Sequence, residues 1–325
     1  MICMPNENMD VHSHVLPSEL LREFKADVSQ SEELYTLGVY GKKIGPVTRG
    51  FFDDVSRRKE VKAMGIDSQA ISVTHHLFMY AEKDLKVAKQ IARRQNEAIT
   101  NFCKKSDDMF VGNGTLPLQD TQLALEELDF IHNKLGLRGV EIGTNVAGKN
   151  LDSEELFPVF EKLQEYGMPI LVHPNDPLAS ERLKKYYMEI VVGTLLETTV
   201  AVSTLILGGV LKRLPRLKFV FCHGGAAVPY QVGRLEKGVK VRKEMKDSGI
   251  NVDEDFHKLY FDTVLFRNSS LKFLLDTAGP DRVVLGTDYP FNMGEPDTLD
   301  NIRKLPVAER IRSEVASNTR RLYGL

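Results

Sequence analysis

The chain has 325 residues, with 43 Lys and Arg against 45 Asp and Glu, a formal net charge of −2, and 42% hydrophobic and 27% charged residues. That balance belongs to an ordinary globular protein long enough for a large core, and it gives no electrostatic reason to expect nucleic acid or an anionic membrane as partner. Three scattered cysteines, Cys3, Cys103 and Cys222, exclude a disulfide framework or a cysteine-based zinc finger and point to the cytoplasm, while the opening MICMPNENMD lacks the pattern of a secretory signal.

Along the chain, short β-branched runs alternate with longer stretches of helical period. Strands are expected at 9–12, 68–76, 109–118, 138–145, 168–174, 218–225, 259–264 and 282–291. All are mostly apolar, as strands buried on both faces should be. Helices are expected at 83–104, at 121–136 and 152–167 with Gly136 and Gly167 as C-caps, and at 269–279. Val200–Leu211 reads as a buried core helix, too short to span a bilayer and running into Lys212-Arg213.

Eight strands alternating with helices predict an α/β fold, a (β/α)8 TIM barrel spanning 1–325 as one domain. An open doubly wound sheet is the rival, but no G-x-G-x-x-G follows the first strand. Two stretches exceed the repeat. Residues 17–56 follow the first strand and are rich in glycine and basic residues, and a smaller insertion, 175–196, follows the fifth. Loops after barrel strands build the active-site face, so both are expected to cover substrate.

The strand ends carry the chemistry. In MDVHSH, His12 and His14 sit at i and i+2 of one strand and so point to the same side. The fifth strand ends in His173, the sixth in His223 and the eighth in Asp288. Singly, each histidine is more often a satisfied structural group. Four of eight strands ending this way predict one divalent metal site at the barrel mouth, zinc first and manganese second. His12, His14 and His173 supply nitrogens, and Asp288 offers a ligand oxygen, a proton-holding group, or both. His223 is the candidate general acid or base beside the ion. His132 and His257, far from the strand ends, are expected at the surface. Cys222, preceding His223, is expected to point into the barrel wall.

The stretches DVHSHVLP, GTLPLQD, GVEIGTNV, LFPVFEKLQEYGMPILVHP, ETTVAVSTLILGGVLKRLPRLKFVFCHGG, VGR and GTDYPF together resemble the decarboxylase branch of the amidohydrolase superfamily. The resemblance runs from about residue 9 to the C-terminus, is dense after 109 and poor between 17 and 56. It implies metal ligation by His12, His14, His173 and Asp288, acid-base catalysis by His223, and a homodimer in which Arg234 reaches the neighbouring subunit's substrate carboxylate. Without the resemblance, Arg234 would read as a solvated helix residue. Arg49 is the candidate for a substrate-binding arginine in the first insertion, with Lys42 and Lys43 nearby; a solvated basic loop is the plain alternative. Departures from the pattern are His75 and His76 after the second strand, one of which could face substrate, with His76 the candidate and a structural or surface role the plain alternative, and Asn175 and Tyr187 after the fifth. Phe291 is a candidate pocket wall or a core residue.

The implied activity is metal-dependent, non-oxidative decarboxylation of a small carboxylated aromatic or muconate-like acid, with no organic cofactor. The alternatives are a hydrolase or hydratase acting on a lactone, amide or unsaturated acid with the same residues, and a non-catalytic barrel that keeps its ion for stability.

Overall fold

The computed structural model describes residues 8–106 and 108–325. The strands expected from sequence form, and their order along the chain is their order around the sheet. Met9–Val15, Ser68–Val73, Phe110–Gly114, Gly139–Gly143, Pro169–His173, Lys218–Phe221, Tyr260–Asp262 and Val283–Val284 run parallel, each hydrogen-bonded to the next. The last returns to the first: Val11 N donates to Leu285 O (2.8 Å), Asp288 N to His12 O (2.8 Å) and His14 N to Tyr289 O (2.7 Å). The cylinder is closed by the same residues that carry the candidate ligands.

Two apolar layers hold this shell. The larger lies between strands and helices and includes Ile142, Val172, Phe160, Phe219 and Phe261. The smaller fills the barrel interior with Met9, Val11, Ala70, Leu171, Val220, Cys222 and Val284, floored by Leu322 and Tyr323. Cys222 therefore faces the interior, not the wall. It keeps the phase of Val220, and the side-to-side alternation breaks only at His223, where φ turns to +56°. Cys103 is partly buried against the outer layer, and Cys3 lies outside the described residues. Gly136 and Gly167 end their helices at φ +69° and +65°, the left-handed geometry that favours glycine there.

Both insertions are more ordered than loops. The first holds a short helix, Ser18–Glu23, and a three-stranded antiparallel sheet, Asp27–Ser31, Leu34–Val39 and Lys42–Val47. Its last strand docks on the turn after the eighth barrel strand through a Val47–Phe291 bridge and Asn292 N donating to Pro46 O (3.2 Å). The second insertion leads into a continuous helix, Glu189–Leu207, that opens with a π turn at Glu189–Gly193. This corrects the shorter helix expected at Val200–Leu211. At 19 residues and a mean hydropathy of 2.0, it is long and apolar enough to cross a membrane by length and composition. Glu197 at its centre hydrogen-bonds Asn145 (2.9 Å) and Thr144 (3.3 Å) in the barrel, and its outer residues line a pocket.

Arg57 ties these layers together. Fully buried, it donates to His14 O (2.7 Å), Gly50 O (3.3 Å), Ser13 Oγ (3.0 Å) and Gln69 Oε1 (3.0 Å), with its guanidinium 4.8 Å from the Tyr289 ring centroid. One side chain thus joins the first strand, the second strand and the first insertion. Arg57→Met is expected to destabilise the fold by roughly 3 kcal/mol, because buried acceptors lose their donor. A melting temperature equal to wild type in thermal denaturation would contradict that role.

Candidate metal centre and active site

His12 and His14 do converge: their Nε2 atoms are 3.1 Å apart, and Asp288 Oδ1 lies 3.3 Å from each. One ligand atom from each of His12, His14, His173 and Asp288 falls within 4.8 Å of the others, and all four residues are buried. The pairing register between the first two strands slips between Asp10 and Ser13, a bulge of the kind that re-aims side chains at a barrel rim. His223 and Asp288 themselves stand at φ +56° and +54°, left-handed geometry that is costly for non-glycine residues and clusters at functional sites.

The histidines' second nitrogens fix their orientation. His12 Nδ1 is 2.6 Å from Asp262 Oδ2, and His173 Nδ1 is 2.9 Å from Pro174 O, so each ring donates from Nδ1 and turns Nε2 toward the focus. His14 Nδ1 faces Glu141 Oε1 at 3.7 Å. Asp262 also accepts, at Oδ1, from Gly224 N (2.8 Å) and Val264 N (3.2 Å). Gly286 makes room for this pair, since a Cβ there would meet Asp262 Cβ at 2.8 Å and His12 Cβ at 3.2 Å.

Electrostatics favour a cation at the focus. Burial would raise Asp288, but His12, His14 and His223 outweigh it and hold the carboxylate well below its usual range. Burial pushes His14 down to about 4 and, with His14 and His12 as neighbours, pushes His173 well below its ordinary value. Neutral His14 and His173 and an ionised Asp288 are the states a divalent ion requires. Burial would lower His12, but Cys222, Asp288 and Asp262 hold it well above its ordinary value, so it would release a proton when the ion binds. Asp288 Oδ1 is buried with no hydrogen-bond partner, as an atom meant for a cation would be. The residues fit one metal ion.

His223 faces the same focus, with Nε2 3.7 Å from Asp288 Oδ2. Above it opens a pocket of about 590 Å³, lined by His75, His76, His173, His223, Asp288 and Phe291 around the focus and by residues of the helix from Glu189 on the far side. His76 and Phe291 thus stand where the sequence reading put them, and Tyr187 joins them. Arg49 does not: it is 61% exposed and paired with Asp53 (2.9 Å) one helical turn on, an i,i+4 ion pair that draws it away. Arg234 lies exposed on the helix Val228–Val241, outside this chain's pocket. Asn175 lines a neighbouring cavity of about 450 Å³ instead, its amide engaged with Thr144 and Asn145. Lys42 borders that same cavity. His132 stacks on Tyr166 and His257 is exposed, both away from the rim.

Asp262 and Glu141 were not singled out from sequence as site residues, and of the pair His75-His76 both, where one was expected, line the pocket. Asp262 closes the seventh strand, the same rim position that flagged the others. Glu141 sits inside a buried strand, where burial raises its carboxyl well above the ordinary value. A lone acid in an apolar run was its only signal.

Fold and centre together define a closed parallel barrel built around one divalent-cation site at its carboxyl rim. The chain belongs to the amidohydrolase family, whose model, described as Amidohydrolase, matches residues 9–325. It is 34% identical over 297 residues to a 2-amino-3-carboxymuconate-6-semialdehyde decarboxylase of Dictyostelium discoideum, covering 88% of this chain and 82% of the relative. Among solved structures it resembles the apo IDCase of Metarhizium anisopliae (TM-score 0.86, 23% identity, 100% of this chain and 98% of the other). It also resembles a 5-carboxyvanillate decarboxylase of Novosphingobium aromaticivorans complexed with manganese and 4-hydroxy-3-methoxy-5-nitrobenzoic acid (TM-score 0.83, 22% identity, 98% and 96% covered).

His12→Ala and His14→Ala are expected to lose the ion, read as metal per chain by plasma mass spectrometry; stoichiometric metal in either would contradict the ligand set. Asp262→Asn is expected to weaken metal affinity roughly 10–100-fold in competition with a chelator. Equal affinity would detach Asp262 from the centre.

Proposed function

We propose that this protein is a metal-dependent, non-oxidative decarboxylase of a small carboxylated aromatic or muconate-like acid. The observation that carries the reading is His223, an imidazole at the pocket floor 3.7 Å from Asp288 and beside the ligand cluster. The decarboxylase names borne by the relatives support it.

His12, His14, His173 and Asp288 would hold the ion, which supplies Lewis acidity toward a substrate oxygen. Zinc is the ion proposed, since it accepts imidazole and carboxylate donors in this ratio; manganese, present in the 5-carboxyvanillate decarboxylase, is second. His223 delivers a proton to the carbon that bears the carboxylate. The carbon–carbon bond then breaks, its electrons return to the substrate, and CO₂ leaves: one proton in, one CO₂ out, no change of oxidation state overall. Asp288 Oδ2 faces His223 Nε2 at 3.7 Å and orients the ring toward the reacting carbon. The apolar helix wall, with Ile190, Leu195 and Leu196, keeps water from competing for that proton.

The substrate's carboxylate needs a cationic partner, and among the described residues those lining this chain's pocket include no arginine or lysine. A homodimer answers that need. Tyr187, Val191, Leu195, Leu196, Tyr230 and Phe266 form an exposed apolar rim beside the pocket, with Tyr230 72% exposed. Arg234 lies one turn beyond Tyr230 on the same helix, within the surface that a partner would meet. A reducing cytoplasm is the proposed setting, in keeping with free Cys103 and Cys222.

His223→Ala is expected to retain its metal and lose CO₂ release by about 10²-fold or more; release at the wild-type rate would remove His223 from the reaction. Turnover of an acid without CO₂ would assign the same centre to hydrolysis or hydration. Arg234→Ala should raise KM with metal content unchanged, and a fully active monomer in sedimentation would end the in-trans role.

A further inference from the structure

The second barrel strand ends at Val73, and the turn after it, His75–Leu77, brings two imidazoles to the pocket wall. His75 lies flat on His173, with ring centroids 4.1 Å apart and planes 12° from parallel, and it approaches His14 edge-on at 5.9 Å. His76 tilts against it at 4.0 Å, its own Nδ1 held 2.9 Å from Thr74 Oγ1. His223 stands elsewhere: it faces His12 at 5.5 Å and His173 at 5.7 Å. The ligand cluster is thus flanked by His223 toward His12 and by His75 toward His14. A flat acid with its carboxylate at the cluster turns one edge to each.

Most of the remaining wall is aliphatic, including Ile190, Val191, Leu195, Leu196, Val264 and Leu265. Against that wall a neutral imidazole is a conspicuous polar group, carrying one donor and one acceptor. His75 is half-buried: its Nδ1 is buried without a partner, while Nε2 is not among the buried atoms and, among the described residues, makes no hydrogen bond. A ring nitrogen buried without a partner is costly, and a ligand that moves into the pocket can meet it. Stacking on His173 alone would be served as well by phenylalanine, so the nitrogens call for a separate explanation.

We propose that His75 is a specificity-determining residue that hydrogen-bonds a polar substituent, a hydroxyl or carbonyl, on the substrate edge opposite His223. The assignment rests on the pocket binding a flat carboxylic acid at the cluster. It makes the enzyme selective for acids carrying such a group beyond reach of the ion, and it leaves proton transfer to His223.

The test is equilibrium binding to manganese-loaded protein of two inert probes, benzoate and 3-hydroxybenzoate, whose hydroxyl is too far from its carboxylate to share one cation. Wild type is expected to prefer the hydroxylated acid about tenfold, the worth of one net hydrogen bond. His75→Phe keeps a ring against His173 and should bind both acids alike with one metal per chain; His75→Gln keeps hydrogen bonding and should retain the preference. An unchanged preference in His75→Phe, or no preference in wild type, overturns the proposal. So does loss of metal from His75→Phe, which would make the ring a prop for His173. Because the probes need not react, failure of every acid to release CO₂ would sink the decarboxylase reading and leave this result interpretable.

Discussion

Three imidazoles and a carboxylate are held with their electron pairs aimed at one point inside a dry rim, and that arrangement is stable only if a cation is shared among them. The hydrogen bond from His12 Nδ1 to Asp262, at 2.6 Å, and that from His173 Nδ1 to Pro174 O hold each ring with its Nε2 turned to that point. The rest of the structure serves this convergence. The eighth strand closes the barrel by bonding to the backbone of His12 and His14, so ring closure and ligand positioning are one event.

The pocket walls extend the same logic outward. On one side the insertion's last strand is joined to the turn after Asp288, and on the other the helix from Glu189 lays its aliphatic residues over the opening. Charges in such an enclosure interact more strongly than in water. A single imidazole beside a carboxylate therefore has large leverage on a proton, and a single imidazole on the opposite wall has comparable leverage on recognition.

Most of the barrel was legible because its strands are short, apolar and ended by the residues that matter. Phase did the work at His12 and His14, where i and i+2 share a face. At His223 and Asp288 the residues lie in left-handed turns just beyond the strands, so position at the rim, not strict alternation, made them readable. Cys222 shows the limit, since its expected orientation assumed alternation through that turn. Arg49 lies outside this chain's pocket, in a local ion pair with Asp53 that spacing in the loop did not reveal. The insertion's sheet was hidden because Asp27–Ser31 is exposed throughout and has no apolar alternation. The helix was underestimated because its π turn, Glu189–Gly193, falls between recognisable patterns. Glu141 and Asp262 looked like isolated acids until folding brought imidazoles to them.

Asp262 has two oxygens and uses them for different masters. One grips the ring of His12; the other takes the backbone N–H of Gly224, the residue next to His223. The ring of His12 and the turn that carries His223 are therefore fastened by one bolt. A shift of His12 is transmitted across a single carboxyl group to the turn that aims His223, so neither imidazole can move without the other.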